Sequence, residues 1–316
     1  MVMRKIVAVA FPGQGAQRPG MGKDYCAEFA VSRQAYEEAS DALGWDVADM
    51  CASEDERLNL TEFTQPCILT TEIAALRGLH FRYGLAPDVF GGHSLGEFTA
   101  LVAAGVLHLA DAVKIVHRRG QLMQKAVPVG IGGMAAVIST DIDVAAVYRS
   151  LSDLPIDVAN ANSAHQVVVS GHLSALPEAE KRLREHFQDD KDFRFVPLTV
   201  SAPFHSRFMK PIEAAFTETL REQEAKLAAA SGTQVTSNFT GKFHAASPDA
   251  IIHGLVSQLS NTVRWVENMR CLAERAGVIY EIGPSRPLRD FFKSISLDCQ
   301  SITSLATAER AFSGHN

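Results

Sequence analysis

The sequence predicts an α/β protein of two units, a large one with a parallel sheet and a small inserted ferredoxin-like α+β one. Three observations predict it. Short apolar runs alternate with helical patterns over the first 128 residues. A β-α-β-β-α-β order then fills 134–200. Two glycine-bearing turns, FPGQGAQ (11–17) and GGHSLG (91–96), each follow a short apolar run.

In chain order, residues 5–11 read as a buried strand, TQPCILTTEIAALRGLHFR (64–82) as a long buried helix, and DVFG (88–91) as a second strand before a helix at 95–106. Past the turn-rich PVGIGG (128–133), strands are expected at 134–139, 156–161, 166–171 and 193–200, with helices at 143–151 and 173–187. Pro177 suits a first helical turn. Helical patterns return at 208–229 and 249–275, and VIYEI (278–282) is a strand. The large unit is thus 1–129 plus 199–316, and the small one 130–198. The tail after 284 carries no readable motif.

Composition bounds the function. The chain has 316 residues, 47% hydrophobic and 21% charged, with a net charge of −6. It can bury a core without disulfides, and its charge leaves no nucleic-acid footprint. Lys181, Arg182 and Arg184 alternate with Glu180 and Glu185, a solvated helix face. Five cysteines, none in a Cys-x-x-Cys spacing, indicate a reducing cytoplasm and no zinc site. The first apolar run is too short for a signal peptide, and no stretch approaches the roughly 20 apolar residues of a membrane span.

Gly92-His93-Ser94-Leu95-Gly96 matches G-x-S-x-G. A sharp strand-to-helix turn holds Ser94 at the strand's end, with the positive end of a helix aimed at it. This elbow makes the large unit α/β-hydrolase-like. A serine nucleophile needs a base. His205, in APFHS just past a strand end, is the best placed of eleven histidines. His93 either takes a direct part or orients the turn. Acyl transfer through Ser94 needs two oxyanion donors. Leu95 N–H follows the nucleophile, and Gln14 lies in FPGQG at the end of the first strand. A dinucleotide loop would carry a third glycine where Arg18 stands. In 111–127, Val113, Val116, Gly120, Met123 and Val127 form one buried stripe. Arg118 points away from it. Arg119 sits about 80° from its centre, either snorkelling at the helix edge or clamping a carboxylate in a cleft.

Together FPGQGAQ, TQP (64–66), GHSLGEF (92–98), RRGQLMQKAVPVGIGGMAAV (118–137), NANSAHQVVVSG (160–171), APFHS (202–206) and EIGP (281–284) resemble the malonyl-CoA:acyl-carrier-protein transacylase family, which includes free-standing polyketide synthase acyltransferases. The resemblance implies Ser94 as nucleophile, His205 as general base, Gln14 and Leu95 as oxyanion donors, and Arg119 as the malonyl carboxylate's partner. It implies that the backbone carbonyl of Gln258 orients His205, in place of an acid that the sequence does not offer. Asn160 and Asn162 match positions near the cleft. His93 and Phe204 are expected beside the substrate, where the Phe204 ring would crowd an α-methyl branch and favour malonyl. The proline in APFH departs from the usual malonyl-type tetrapeptide.

Malonyl-CoA is then a substrate, an acyl carrier protein the partner, and no metal or permanently bound cofactor is implied. The expected protein is a cytoplasmic monomer of fatty-acid or polyketide synthesis. Two other readings are a hydrolase clearing acyl groups from carrier proteins with the same Ser-His pair, and a non-catalytic docking protein.

Overall fold

The computed structural model describes residues 5–200 and 202–313. Its strands are β1 (Val7–Phe11), β2 (Val89–Gly92), β3 (Gly132–Ile138), β4 (Ile156–Ser163), β5 (Gln166–His172), β6 (Arg194–Pro197), β7 (Val278–Ile282) and β8 (Gln300–Ile302). Its helices are α1 (Lys23–Glu28), α2 (Ala30–Leu43), α3 (Val47–Ala52), α4 (Thr61–Tyr83), α5 (Gly96–Ala103), α6 (Leu109–Lys125), α7 (Val144–Leu151), α8 (Leu176–His186), α9 (Glu213–Arg221), α10 (Pro248–Ser257), α11 (Trp265–Arg275), α12 (Pro287–Ser294) and α13 (Leu305–Phe312). Among the described residues no helix is long and apolar enough to cross a membrane.

The first sheet is parallel, in the order β2-β1-β7-β8. VAVAF suits β1 because a strand covered on both faces needs apolar residues throughout, not alternation. The register places Phe11 opposite Gly92, so the carboxyl ends of β1 and β2 lie side by side. In open α/β sheets the ligand crevice lies at that edge. Helix α4 runs through the interior, with Thr64 to Ala75 all buried, and ends at Gly84 in the left-handed region that glycine adopts freely.

The second sheet is antiparallel, in the order β4-β5-β3-β6. One face packs on α7 and α8 through Val137, Val147, Val158, Val169 and Leu183. On the other face Met134, Ala136, Ala159 and Val168 join the main core. The alternation within each strand thus serves two different apolar neighbours.

Three segments differ from the sequence reading. The 208–229 pattern breaks into a 3-10 turn at 207–212, α9, and two further 3-10 turns. Pro211 disrupts the first turn, since it donates no backbone hydrogen bond. The 249–275 pattern is two helices, because residues 259–264 leave helical geometry to run beside β4. There Val263 N donates to Ala159 O (2.8 Å) and Ala161 N to Val263 O (2.9 Å). That break leaves Gln258 as the C-cap of α10. The tail holds a strand, β8, that completes the parallel sheet.

Candidate active site

Ser94 stands between β2 and α5 with φ 53°, a left-handed conformation costly for a residue with a Cβ. Its neighbours explain how the turn closes. A Cβ at Gly92 would lie 1.9 Å from the Gly96 carbonyl carbon, and one at Gly96 2.1 Å from Phe11 O. The strain is held in place by Asn238, whose Oδ1 accepts the Ser94 N–H (2.6 Å) while its Nδ2 donates to Gly92 O (2.7 Å) and Asn268 Oδ1 (2.8 Å).

The FPGQG loop packs directly on this elbow. A Cβ at Gly13 would meet His93 O at 2.4 Å and lie 3.6 Å from Leu95 N. Neither the Gln14 nor the Leu95 backbone N–H has a protein acceptor among the described residues. The Gln14 side chain is tied back to Thr61 Oγ1 (3.2 Å).

His205 comes from the loop after β6 and also has positive φ, 56°. Its Nε2 lies 2.7 Å from Ser94 Oγ, and its Nδ1 lies 2.7 Å from Gln258 O. A helix-end carbonyl has no intrahelical partner, so the C-cap position of Gln258 frees it for this bond. Nδ1–H donates to the carbonyl, which leaves the Nε2 lone pair facing the serine hydroxyl. Burial, and then the charge of Arg119, hold His205 down at about 3 despite the Gln258 carbonyl. It is therefore neutral and able to accept a proton.

Arg119 is 1% exposed. It donates from Nη1 to Gln65 Oε1 (3.0 Å) and from Nη2 to Gln258 Oε1 (2.7 Å) and Ser94 Oγ (3.1 Å). Its Nε has no acceptor. Burial lowers its pKa to about 10, with Glu97 opposing, so the guanidinium stays charged at neutral pH. Arg118 is exposed, as its angle on the helix predicts. The room left by Gly120 is filled by the α4 backbone, with Glu62 Cα 2.5 Å from the place of a Cβ. Gly120 thus lets α4 pack closely on α6.

His93 turns away from Ser94 Oγ. Its Nε2 bonds Asn162 Oδ1 (2.8 Å), and its ring meets Trp265 edge-on at 5.6 Å. This joins the elbow to β4 and corresponds to the orienting reading. Phe204 is buried in the main core, 7% exposed.

A further polar layer escaped the sequence reading. Gln258 Nε2 donates to Ser94 O (3.1 Å) and Glu97 Oε2 (2.6 Å). Glu97 also accepts from Asn238 N (3.0 Å) and faces His244 Nε2 (2.8 Å). Glu97 and Gln65 sit inside quoted motifs, which was a usable signal. Asn238 and His244 lie in stretches with no pattern to mark them.

A serine hydroxyl shared between a neutral buried histidine and a charged arginine, beside two unpartnered amide N–H groups, defines a serine acyl-transfer enzyme. The profile of the Acyl transferase domain family matches residues 9–288. The malonyl CoA-acyl carrier protein transacylase of Staphylococcus aureus (strain COL) is 39% identical over 308 residues, covering 96% of each chain. The solved transacylase of Coxiella burnetii superposes with a TM-score of 0.88 at 32% identity, covering 99% of this chain and 98% of that one. A structure of a type II PKS acyl-carrier protein in complex with its malonyl-transacylase matches with a TM-score of 0.87 at 34% identity, covering 98% and 100%. This chain belongs to the malonyl CoA-acyl carrier protein transacylase family.

Proposed function

We propose that the protein transfers a malonyl group from malonyl-CoA to the phosphopantetheine thiol of an acyl carrier protein, through an ester on Ser94, in fatty-acid or polyketide synthesis. The observation that carries this reading is Arg119. A charged, fully buried guanidinium with a free Nε, 3.1 Å from the nucleophile, suits an acyl group that ends in a carboxylate.

In the first half-reaction Ser94 Oγ attacks the thioester carbon as its proton passes to His205 Nε2. The carbonyl oxygen becomes an oxyanion and accepts hydrogen bonds from Gln14 and Leu95 N–H. When the C–S bond breaks, the proton on His205 goes to the departing thiolate, leaving malonyl-Ser94. In the second, the carrier thiol gives its proton to His205 and attacks the ester, and Ser94 leaves with that proton. Gln258 O stabilises the transient imidazolium through Nδ1–H. Phe204, next to the base in sequence, borders the acyl group and favours an unbranched malonyl, and His93, tied to β4, lies beside the substrate.

On this reading, 1–129 and 199–316 form an α/β-hydrolase-like unit and 130–198 a ferredoxin-like one, in a cytoplasmic monomer. The test is intact-mass detection of a malonyl adduct after incubation with malonyl-CoA, followed by transfer to a holo carrier protein. The wild type should form the adduct and pass it on, and Ser94→Ala should form none. Rapid hydrolysis with no carrier loading would overturn the transferase reading.

A further inference from the structure

Glu97 touches neither reacting atom, yet it borders the side chain that holds the arginine. It is fully buried in the first turn of α5. Its Oε2 accepts from Gln258 Nε2 (2.6 Å) and Asn238 N (3.0 Å), and its Oε1 faces His244 Nε2 (2.8 Å). The Gln258 amide lies between Glu97 and Arg119. Its Oε1 receives Arg119 Nη2–H at 2.7 Å. Its Nε2 serves Glu97 and Ser94 O.

A primary amide has one acceptor end and one donor end, whereas guanidinium only donates and a carboxylate only accepts. The surroundings therefore impose one sense on Gln258. Reversed, its NH2 would face the guanidinium, and its oxygen would face a carboxyl and a carbonyl. All three bonds would be lost, and the buried groups that make them would be left unpaired. The shortest bond holding the donor end is the one to Glu97.

The geometry points to Glu97 as a positioning residue that sets acyl-donor preference: by aligning the Gln258 amide it fixes the pose of the Arg119 guanidinium, so that carboxylated acyl groups are favoured over acetyl. The inference rests on the malonyl-transfer reading. A wild type that loads no malonyl would end that reading, whereas the outcomes below concern Glu97 alone.

The experiment compares kcat/KM for acyl-enzyme formation from malonyl-CoA and from acetyl-CoA in wild type, Glu97→Leu, Gln258→Leu and the double variant. Gln258→Leu keeps the backbone carbonyl that serves His205. Glu97→Leu should lower the malonyl-to-acetyl ratio roughly three- to tenfold, the size of one hydrogen bond. In the Gln258→Leu background it should change the ratio no further, because the route is already cut. Equal loss with both donors, as a purely structural role would give, overturns the proposal, and so does an undiminished effect in the double variant. If Glu97→Leu does not fold, Glu97→Asp keeps a buried carboxyl but draws it back roughly 1.5 Å, one C–C bond, beyond reach of Gln258. The same fall in ratio is expected there, and an unchanged ratio overturns the proposal.

Discussion

Arg119→Ala removes three hydrogen bonds at once: 3.0 Å to Gln65, 2.7 Å to Gln258 and 3.1 Å to the nucleophile. It also removes the donors available to an incoming carboxylate. A charge-assisted hydrogen bond contributes about 1.5–3 kcal/mol, and a tenfold change corresponds to about 1.4 kcal/mol. One such bond is therefore a preference of roughly 10- to 150-fold for malonyl over acetyl. The total rate is the wrong measure, because the variant also orphans the buried Gln65 and Gln258 oxygens and loses stability. The ratio of kcat/KM values isolates the clamp.

A second effect follows from electrostatics. The Arg119 charge is one of the causes that depress His205, so the acid limb of the loading profile should move to higher pH in the variant. On the proposed reading, a malonyl carboxylate on Arg119 would offset the same charge and make the base stronger when that substrate is bound. The assay is rapid-quench acyl-enzyme formation with both thioesters across pH. An unchanged malonyl-to-acetyl ratio, with both rates lowered alike, would refute the clamp and leave Arg119 a structural cation.

Two other perturbations test the geometry. His205 is held at about 3 against an ordinary value near 6.5, so between those values the unfolded chain binds a proton that the folded chain excludes. The stability that neutral His205 contributes is complete above about 6.5 and is lost as pH falls toward 3. Melting curves from pH 7 to 4 should show the wild type losing stability relative to His205→Gln. Glu281, raised to about 7 by burial, acts in the opposite sense and cancels in that comparison. Parallel curves would remove His205 from the acid response. Gly13→Ala places a Cβ 2.4 Å from His93 O and pushes the Gln14 loop off the elbow. Loss of an oxyanion donor should lower kcat roughly 10²- to 10³-fold with KM for malonyl-CoA little changed, and wild-type kcat would show that Gln14 N–H is not needed.

What the sequence made legible follows from the range of the physics involved. Ser94 and Leu95 stand in a local motif whose two glycines are forced by backbone contact. The helical angle put Arg119 only at the boundary of the α6 stripe, with snorkelling and clamping both open, and the clamp came from the family resemblance, whereas the side chain is buried. Gln258 was reached only through family resemblance: its carbonyl is free because α10 stops, and α10 stops because Val263 pairs with β4, which no local pattern records. Asn238 and His244 were invisible for the same reason, and Glu97, though inside GHSLGEF, gave no sign of its partners. Their bonds join residues 141 to 147 positions apart, and a lone asparagine in TSNFT looks like any turn residue. β8 was missed because QSI is too short to display alternation, and its register comes from β7.

The central position of β1 constrains how the protein can be made. Residues 7–11 are synthesised before the other strands of the sheet, and β2 gives them one neighbour, but the other is β7, whose residues 278–282 follow much later. An open β1 edge must therefore persist until β7 is made, in the apolar segment that aggregation favours. The loop after β6, which carries His205, is likewise made long before the Gln258 carbonyl that orients it. Nascent chains that have not reached residue 258 thus hold the serine and the histidine without the carbonyl that orients the base.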